Sequence, residues 1–146
     1  MMNIINKTKR EVDKKYLQKV ADLTLNDCSK DFSILFTNNK TIRKYNKNFR
    51  KKDYATNVLS FPSDVENYLG DVIISLEKIE EETIEQGKGF LHHLTHMIVH
   101  SLLHLLRFDH KKPDERRKME AMEVKILKKL NIKNPYIIYN HETKRN

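Results

Sequence analysis

Three histidines in the segment HSLLHLLRFDH, at His100, His104 and His110, are separated by four and then six positions. On a helix, residues four apart share one face about a turn apart. His100 and His104 can therefore present two imidazoles to one ion at the roughly 2.0–2.1 Å of a zinc–nitrogen bond. His110 falls beyond the apolar run, in RFDH, where a chain reversal could return it as a third ligand. Three neutral ligands leave a fourth position for water, and the ion keeps the charge needed to bring that water's pKa to about 7. The competing reading is structural. His92, His96, His100 and His104 recur every four residues, so one polar stripe could line a core or an interface. Against it, each buried imidazole needs partners for both ring nitrogens. His92, His93 and His96 are read as supporting or structural.

What is missing narrows the chemistry. In His-Glu-x-x-His proteases the residue after the first ligand is a general-base glutamate. Here it is Ser101, so peptide hydrolysis by that route lacks its base. A structural zinc would want a fourth protein ligand; Cys28, the single thiol, reads better as a small buried hydrophobe.

A second stretch carries charge. KTIRKYNKNFRKK, Lys40 to Lys52, holds seven Lys/Arg in 13 residues with no acid, interleaved with Tyr45 and Phe49. Arg43, Lys47 and Arg50 share a helical face, and Lys51 and Lys52 extend the basic run. Such a patch neutralises phosphates without reading sequence, and the aromatics either stack unpaired bases or turn to the core. Residues 1–52 carry a net +9 and residues 53–146 a net −1, so the whole excess of +8 sits in the first third. That asymmetry fits a polyanionic partner as well as it fits a lysine-rich solvated surface.

The elements that must position these residues follow from periodicity. MNII suggests a short strand; Val12, Tyr16, Leu17, Val20 and Leu23 mark a helix to about Leu25. DFSILFT alternates as a strand ending at Asn38-Asn39, and a helix follows over about Lys40–Asn48. TNVLSFP is a strand stopped by Pro62, GDVIIS is another, and LEKIEEETIEQ is a helix broken by Gly87 and Gly89. FLHHLTHMIVHSLLHLL has no Asp, Glu, Lys or Arg in 17 residues of a chain that is 33% charged, which makes it a centrally buried helix. After the RFDHKK turn, Pro113 opens a last helix to about Leu130 that buries Met119, Met122, Ile126 and Leu130. The end, PYIIYNHETKRN, reads as an extended or frayed tail.

The fold class is therefore α+β or α/β, one domain over residues 1–146. A single cysteine excludes an internal disulfide framework and suits a reducing cytosol. The first residues lack a signal-peptide core, and the longest apolar segment falls short of a membrane span, so a cytoplasmic location is expected.

HSLLHLLRFDH resembles the histidine signature of the YbeY family of bacterial endoribonucleases and rRNA maturation factors, usually His-Gly-x-Leu-His-Leu-x-Gly-Tyr-Asp-His. NFRKKDYATNVLSFP is similar to the family's arginine-containing strand motif, GDVIIS to its Gly-Asp strand, and RRKMEAMEVKIL to its closing helix. The likeness runs in the family's order from about Asn46 to Leu130. It implies an α+β fold, a small mixed sheet packed with helices around a zincin-like site, with one Zn²⁺ held by His100, His104 and His110. It implies that Arg50 is the essential arginine, engaging RNA phosphate or the transition state. The implied activity is cleavage of single-stranded RNA in 16S rRNA 3′-end maturation and ribosome quality control. Attack is by water activated at the metal or by an internal 2′-hydroxyl. Small-subunit ribosomal components and an rRNA-binding GTPase are the implied partners. A non-catalytic RNA-binding assembly factor with a structural metal is the alternative reading, and a hydrolase of another substrate a third.

Four positions depart from the family pattern: Ser101 and Arg107 stand for glycines, Asn57 for a frequent aspartate, and Phe108 for tyrosine. Arg107 matters most, because it falls where the chain must turn to bring back His110. A left-handed non-glycine there costs roughly 1–2 kcal/mol.

Overall fold

The computed structural model describes residues 1–26 and 29–137; Cys28 and the end of the expected tail lie outside the described residues. Four strands, β1 (Met2–Asn6), β2 (Asp31–Thr37), β3 (Val58–Pro62) and β4 (Tyr68–Ser75), alternate with or precede five helices. The helices are α1 (Lys14–Leu25), α2 (Asn39–Arg50), α3 (Leu76–Gln86), α4 (Phe90–Leu105) and α5 (Pro113–Lys129). The sheet order is β1-β2-β4-β3, with β1, β2 and β4 parallel and β3 antiparallel to β4. The expected α+β class with a small mixed sheet is borne out.

Strand alternation divides the sheet into two faces. Phe32, Ile34 and Phe36 of β2, with Val72 and Ile74 of β4, point into the main core among α1, α3, α4 and α5. Leu59 and Ile73 point to the opposite face and meet Ile42 of α2, with Leu35, Tyr45 and Phe61 around them. The basic helix α2 thus lies across the second face, the one helix there among the described residues, and the histidine helix lies in the main core.

Helix starts obey local chemistry. Asp13, Asn38 and Ser75 each accept a hydrogen bond from a first-turn N–H of α1, α2 and α3. Helix α4 has no side-chain cap at Gly89 and is held by packing instead. It touches α1, α3, α5, β3 and β4, and residues 93–99, 101–103 and 105 are buried. Each of Ile98, Leu102 and Leu103 contributes about 1.5–3 kcal/mol by burial. No helix among the described residues is long and apolar enough to cross a membrane.

Two boundaries and the buried face of one helix differ from the sequence reading. Helix α2 continues past Asn48 to Arg50, where Lys51 turns left-handed at φ 61°. Strand β4 starts before the glycine, at Tyr68, and Gly70 lies within it. On α5, Met119 and Ile126 are buried as expected, Met122 and Leu130 are only partly buried, and Glu123 and Leu127 are fully buried.

Gly70 is required by close backbone approach. Its φ is +145°, and a β-carbon there would meet the Phe61 carbonyl oxygen at 2.3 Å and a Leu105 methyl at 2.8 Å. Because Leu105 belongs to α4, this contact sets how closely the histidine helix approaches the β3–β4 hairpin. Gly70→Ala is expected to cost at least ~3 kcal/mol, read as a melting temperature lowered by several degrees; an unchanged melt would contradict the close packing.

Candidate metal centre and its cleft

Helix α4 delivers His100 and His104 from one face, and the turn after it delivers His110. Their ligand atoms lie within 4.8 Å of one another, close enough to hold one metal ion. The rings of His100 and His104 are 4.7 Å apart, and His110 approaches them at 5.5 and 4.9 Å.

The reversal that returns His110 is a Schellman-type helix end. The Phe108 N–H donates to the Leu103 carbonyl at 3.0 Å and the Arg107 N–H to the His104 carbonyl at 2.9 Å. Arg107 itself is left-handed at φ 74°, so the turn expected from the sequence forms with arginine in the position that glycine usually takes. Phe108 packs against the main core without the hydroxyl of a tyrosine. Asp109 then accepts the His110 N–H at 2.7 Å, fixing the loop.

Hydrogen bonds settle which ring nitrogens face the cluster. His100 Nδ1 donates to the Glu123 carboxylate at 2.7 Å, and His104 Nδ1 donates to the Phe108 carbonyl at 3.0 Å. Both acceptors lack a proton to give, so both rings turn an Nε2 lone pair inward, and these nitrogens sit 3.2 Å apart. Two nitrogens tetrahedrally bound at zinc distances stand about 3.3 Å apart. Two lone pairs facing each other repel unless a cation or proton lies between them, so the donor set fits a metal ion. Burial and the neighbouring His100 and His110 charges hold His104 down to about 4, which keeps that ring neutral and ligand-competent.

Glu123 was not anticipated. It is fully buried on α5 and also accepts from His96 Nε2 at 2.8 Å and from the Tyr136 hydroxyl. Burial raises its carboxyl, but the hydrogen bonds from His100 and His96 outweigh this and bring it to about 2. Tyr136 is pushed upward by burial and by Glu123. The signal was present in the sequence: an acid at position 123 interrupts the apolar stripe of Met119, Ile126 and Leu127. Tyr136 belongs to a segment expected to fray, yet residue 136 reaches back to the carboxylate.

The remaining histidines divide. His96 and His93 are buried, each held at Nε2 by an acid, Glu123 and Glu82 respectively, with no partner for Nδ1 among the described residues. His92 is exposed. Asn57 donates to Glu82 at 3.0 Å; an aspartate would face that carboxylate with its own charge, so the amide suits this chain. Ser101 is buried and donates back to the Met97 carbonyl.

The three histidines open into a cavity of about 630 Å³ whose lining also includes Arg50, Lys52, Arg107 and Lys111. Arg50 Nη2 donates to the Ser60 carbonyl at 2.6 Å, and its guanidinium lies 5.0 Å from the Phe61 ring centre. Of the other basic residues singled out in the sequence, Lys52 lines this cavity. Arg43, paired with Asp53 at 2.8 Å, lines a different one, and Lys47 and Lys51 are exposed outside it. Phe49 is 63% exposed, stacks on Tyr45 and meets Phe61 edge-to-face.

Fold and cluster together define an α+β protein that offers three imidazoles to one metal ion beside a basic cleft. The chain belongs to the endoribonuclease YbeY family: residues 3–131 match that family's profile, Endoribonuclease YbeY. It is 40% identical over 138 residues to the endoribonuclease YbeY of Ehrlichia chaffeensis, covering 92% of this chain and 90% of the relative. It is 43% identical over 131 residues to that of Bartonella bacilliformis, covering 85% and 83%. A solution structure of a Thermotoga maritima protein shares the fold at a TM-score of 0.61 and 20% identity, over 90% of this chain and 92% of that one. The resemblance read from the motifs is borne out.

Two outcomes test this geometry. Glu123→Gln removes the charge that orients His100 and is expected to weaken zinc binding about 10–100-fold in competition with a chromophoric chelator; equal affinity would show the carboxylate to be structural only. The second concerns acid. Burial lowers His93 despite Glu82, as it lowers His104. The unfolded chain therefore takes up more protons below the ordinary value of about 6.5. Stability from these neutral rings is full above that value and is lost as pH falls toward 4, with Glu123 adding loss below the ordinary carboxyl range. The melting temperature of chelator-treated protein should decline over that window; a flat profile would contradict the neutral, buried rings.

Proposed function

We propose that this chain is a zinc-dependent endoribonuclease that cleaves single-stranded RNA in the cytoplasm. Its work is the maturation of the 16S rRNA 3′ end and ribosome quality control, alongside small-subunit ribosomal components and an rRNA-binding GTPase. One domain carries the activity. The observation that carries the reading is the convergence of three imidazoles in the same cavity as Arg50.

His100, His104 and His110 would hold one Zn²⁺, which supplies Lewis-acid stabilisation of charge at a phosphodiester. Arg50 presents a planar fork that matches phosphate oxygens and neutralises negative charge developing there. Its backbone anchor at Ser60 and its place over Phe61 limit the rotamer freedom it must give up on binding. Lys52 adds a second positive charge on the same wall. Glu123 and the Phe108 carbonyl hold His100 and His104 in the tautomers that leave Nε2 free. Among the described residues the cluster has no fourth protein ligand, which favours an open, catalytic site over a structural one.

The test compares wild type, His104→Ala and Arg50→Ala for bound zinc by mass spectrometry and for cleavage of single-stranded RNA. His104→Ala is expected to lose both, and Arg50→Ala to keep zinc while cleaving about 10²–10³-fold more slowly. Undiminished cleavage by His104→Ala would overturn the proposal.

A further inference from the structure

Arg107 is an energetic anomaly. It sits at φ 74°, a conformation that strains an L residue with a β-carbon. Both backbone hydrogen bonds that close the end of α4 use main-chain atoms alone, so glycine could make them without the strain. The side chain recovers little. Its guanidinium reaches the Ser63 carbonyl at 3.1 Å and Asp64 at 2.9 Å, but the pair is 59% and 99% exposed, where such bridges contribute little. Strain that local contacts do not repay points to a use elsewhere.

The place of the side chain supplies that use. Arg107 lines the cavity that holds His104 and His110, with Lys111 beside it from the same loop. Arg50 and Lys52 enter the same cavity from the end of α2. The cleft is thus basic from two separate segments, and the histidines belong to it. Arg107 carries a fork suited to two phosphate oxygens, and Asp64 holds that fork in the absence of a ligand.

We infer that Arg107 is a second phosphate-binding residue: it engages the RNA backbone next to the phosphate at Arg50, displacing Asp64 from its guanidinium. This rests on the RNA-cleaving function proposed above. Bound RNA then spans the cluster between cationic contacts on two segments of the chain, and Asp64 acts as a resident competitor that weakens the grip on short or poorly placed strands.

The experiment measures binding of fluorescein-labelled oligouridine to the zinc-loaded protein by anisotropy, in the cold and over a salt series, with strand integrity checked on gels. Arg107→Gly is expected to weaken binding about tenfold and to flatten the salt slope by about 0.7, while melting no lower than the parent. Arg107→Lys should retain the slope, because it keeps the charge. Asp64→Asn should tighten binding a few-fold, and that gain should vanish on an Arg107→Gly background. Unchanged affinity and slope in Arg107→Gly, with Arg50→Ala still impaired, would overturn the role of Arg107 and leave the proposed function standing. Absence of oligouridine binding by the wild type would overturn both.

Discussion

A carboxylate buried between two helices organises the centre of this protein. Glu123 on α5 receives N–H donors from His96 and His100 of α4 and the hydroxyl of Tyr136. Removing such a group from water costs several kcal/mol unless its oxygens are hydrogen-bonded, so α5 can sit against α4 only where those donors wait. The same bonds decide which nitrogen His100 turns toward the cluster. Helix packing and ligand chemistry are therefore one constraint, and a shift of α5 along α4 would disturb both.

The rest of the fold serves that constraint from the other side. The charge-free sequence of α4 lets it lie in the main core, and Gly70 lets the β3–β4 hairpin approach its C-terminal end closely. Strand β3 then carries Ser60, whose carbonyl anchors Arg50 from α2 across the sheet. Polar groups inside this arrangement are mostly paired. Among the described residues the exceptions are Nδ1 of His93 and of His96, acceptors on rings whose other nitrogen faces an acid, so each ring keeps its charge-assisted bond.

Much of this could be read from the chain before its structure. Period-two alternation in DFSILFT and the unbroken apolar run of α4 located a strand and the central helix, because burial is periodic and periodicity survives in the letters. The four-residue spacing of His100 and His104 carried their shared face for the same reason. The roles of Glu123 and Tyr136 were not read, since they depend on partners 23 and 13 residues away on other segments. The acid in an apolar stripe was visible, but not what would face it. The basic run was read as one surface, yet Arg43 and Arg50 line different cavities: charge shows in composition, whereas the direction in which each side chain leaves its helix depends on the packing beneath it.

The three imidazoles come from eleven consecutive residues, whereas Arg50 lies fifty positions before the first of them. Closing so short a segment costs little chain entropy, and the end of α4 organises it with its own backbone bonds. The opposing wall exists only while β3 keeps its antiparallel register with β4. Local opening of β3 would therefore release the Arg50 wall of the cleft, while the backbone bonds that close the end of α4 do not depend on β3.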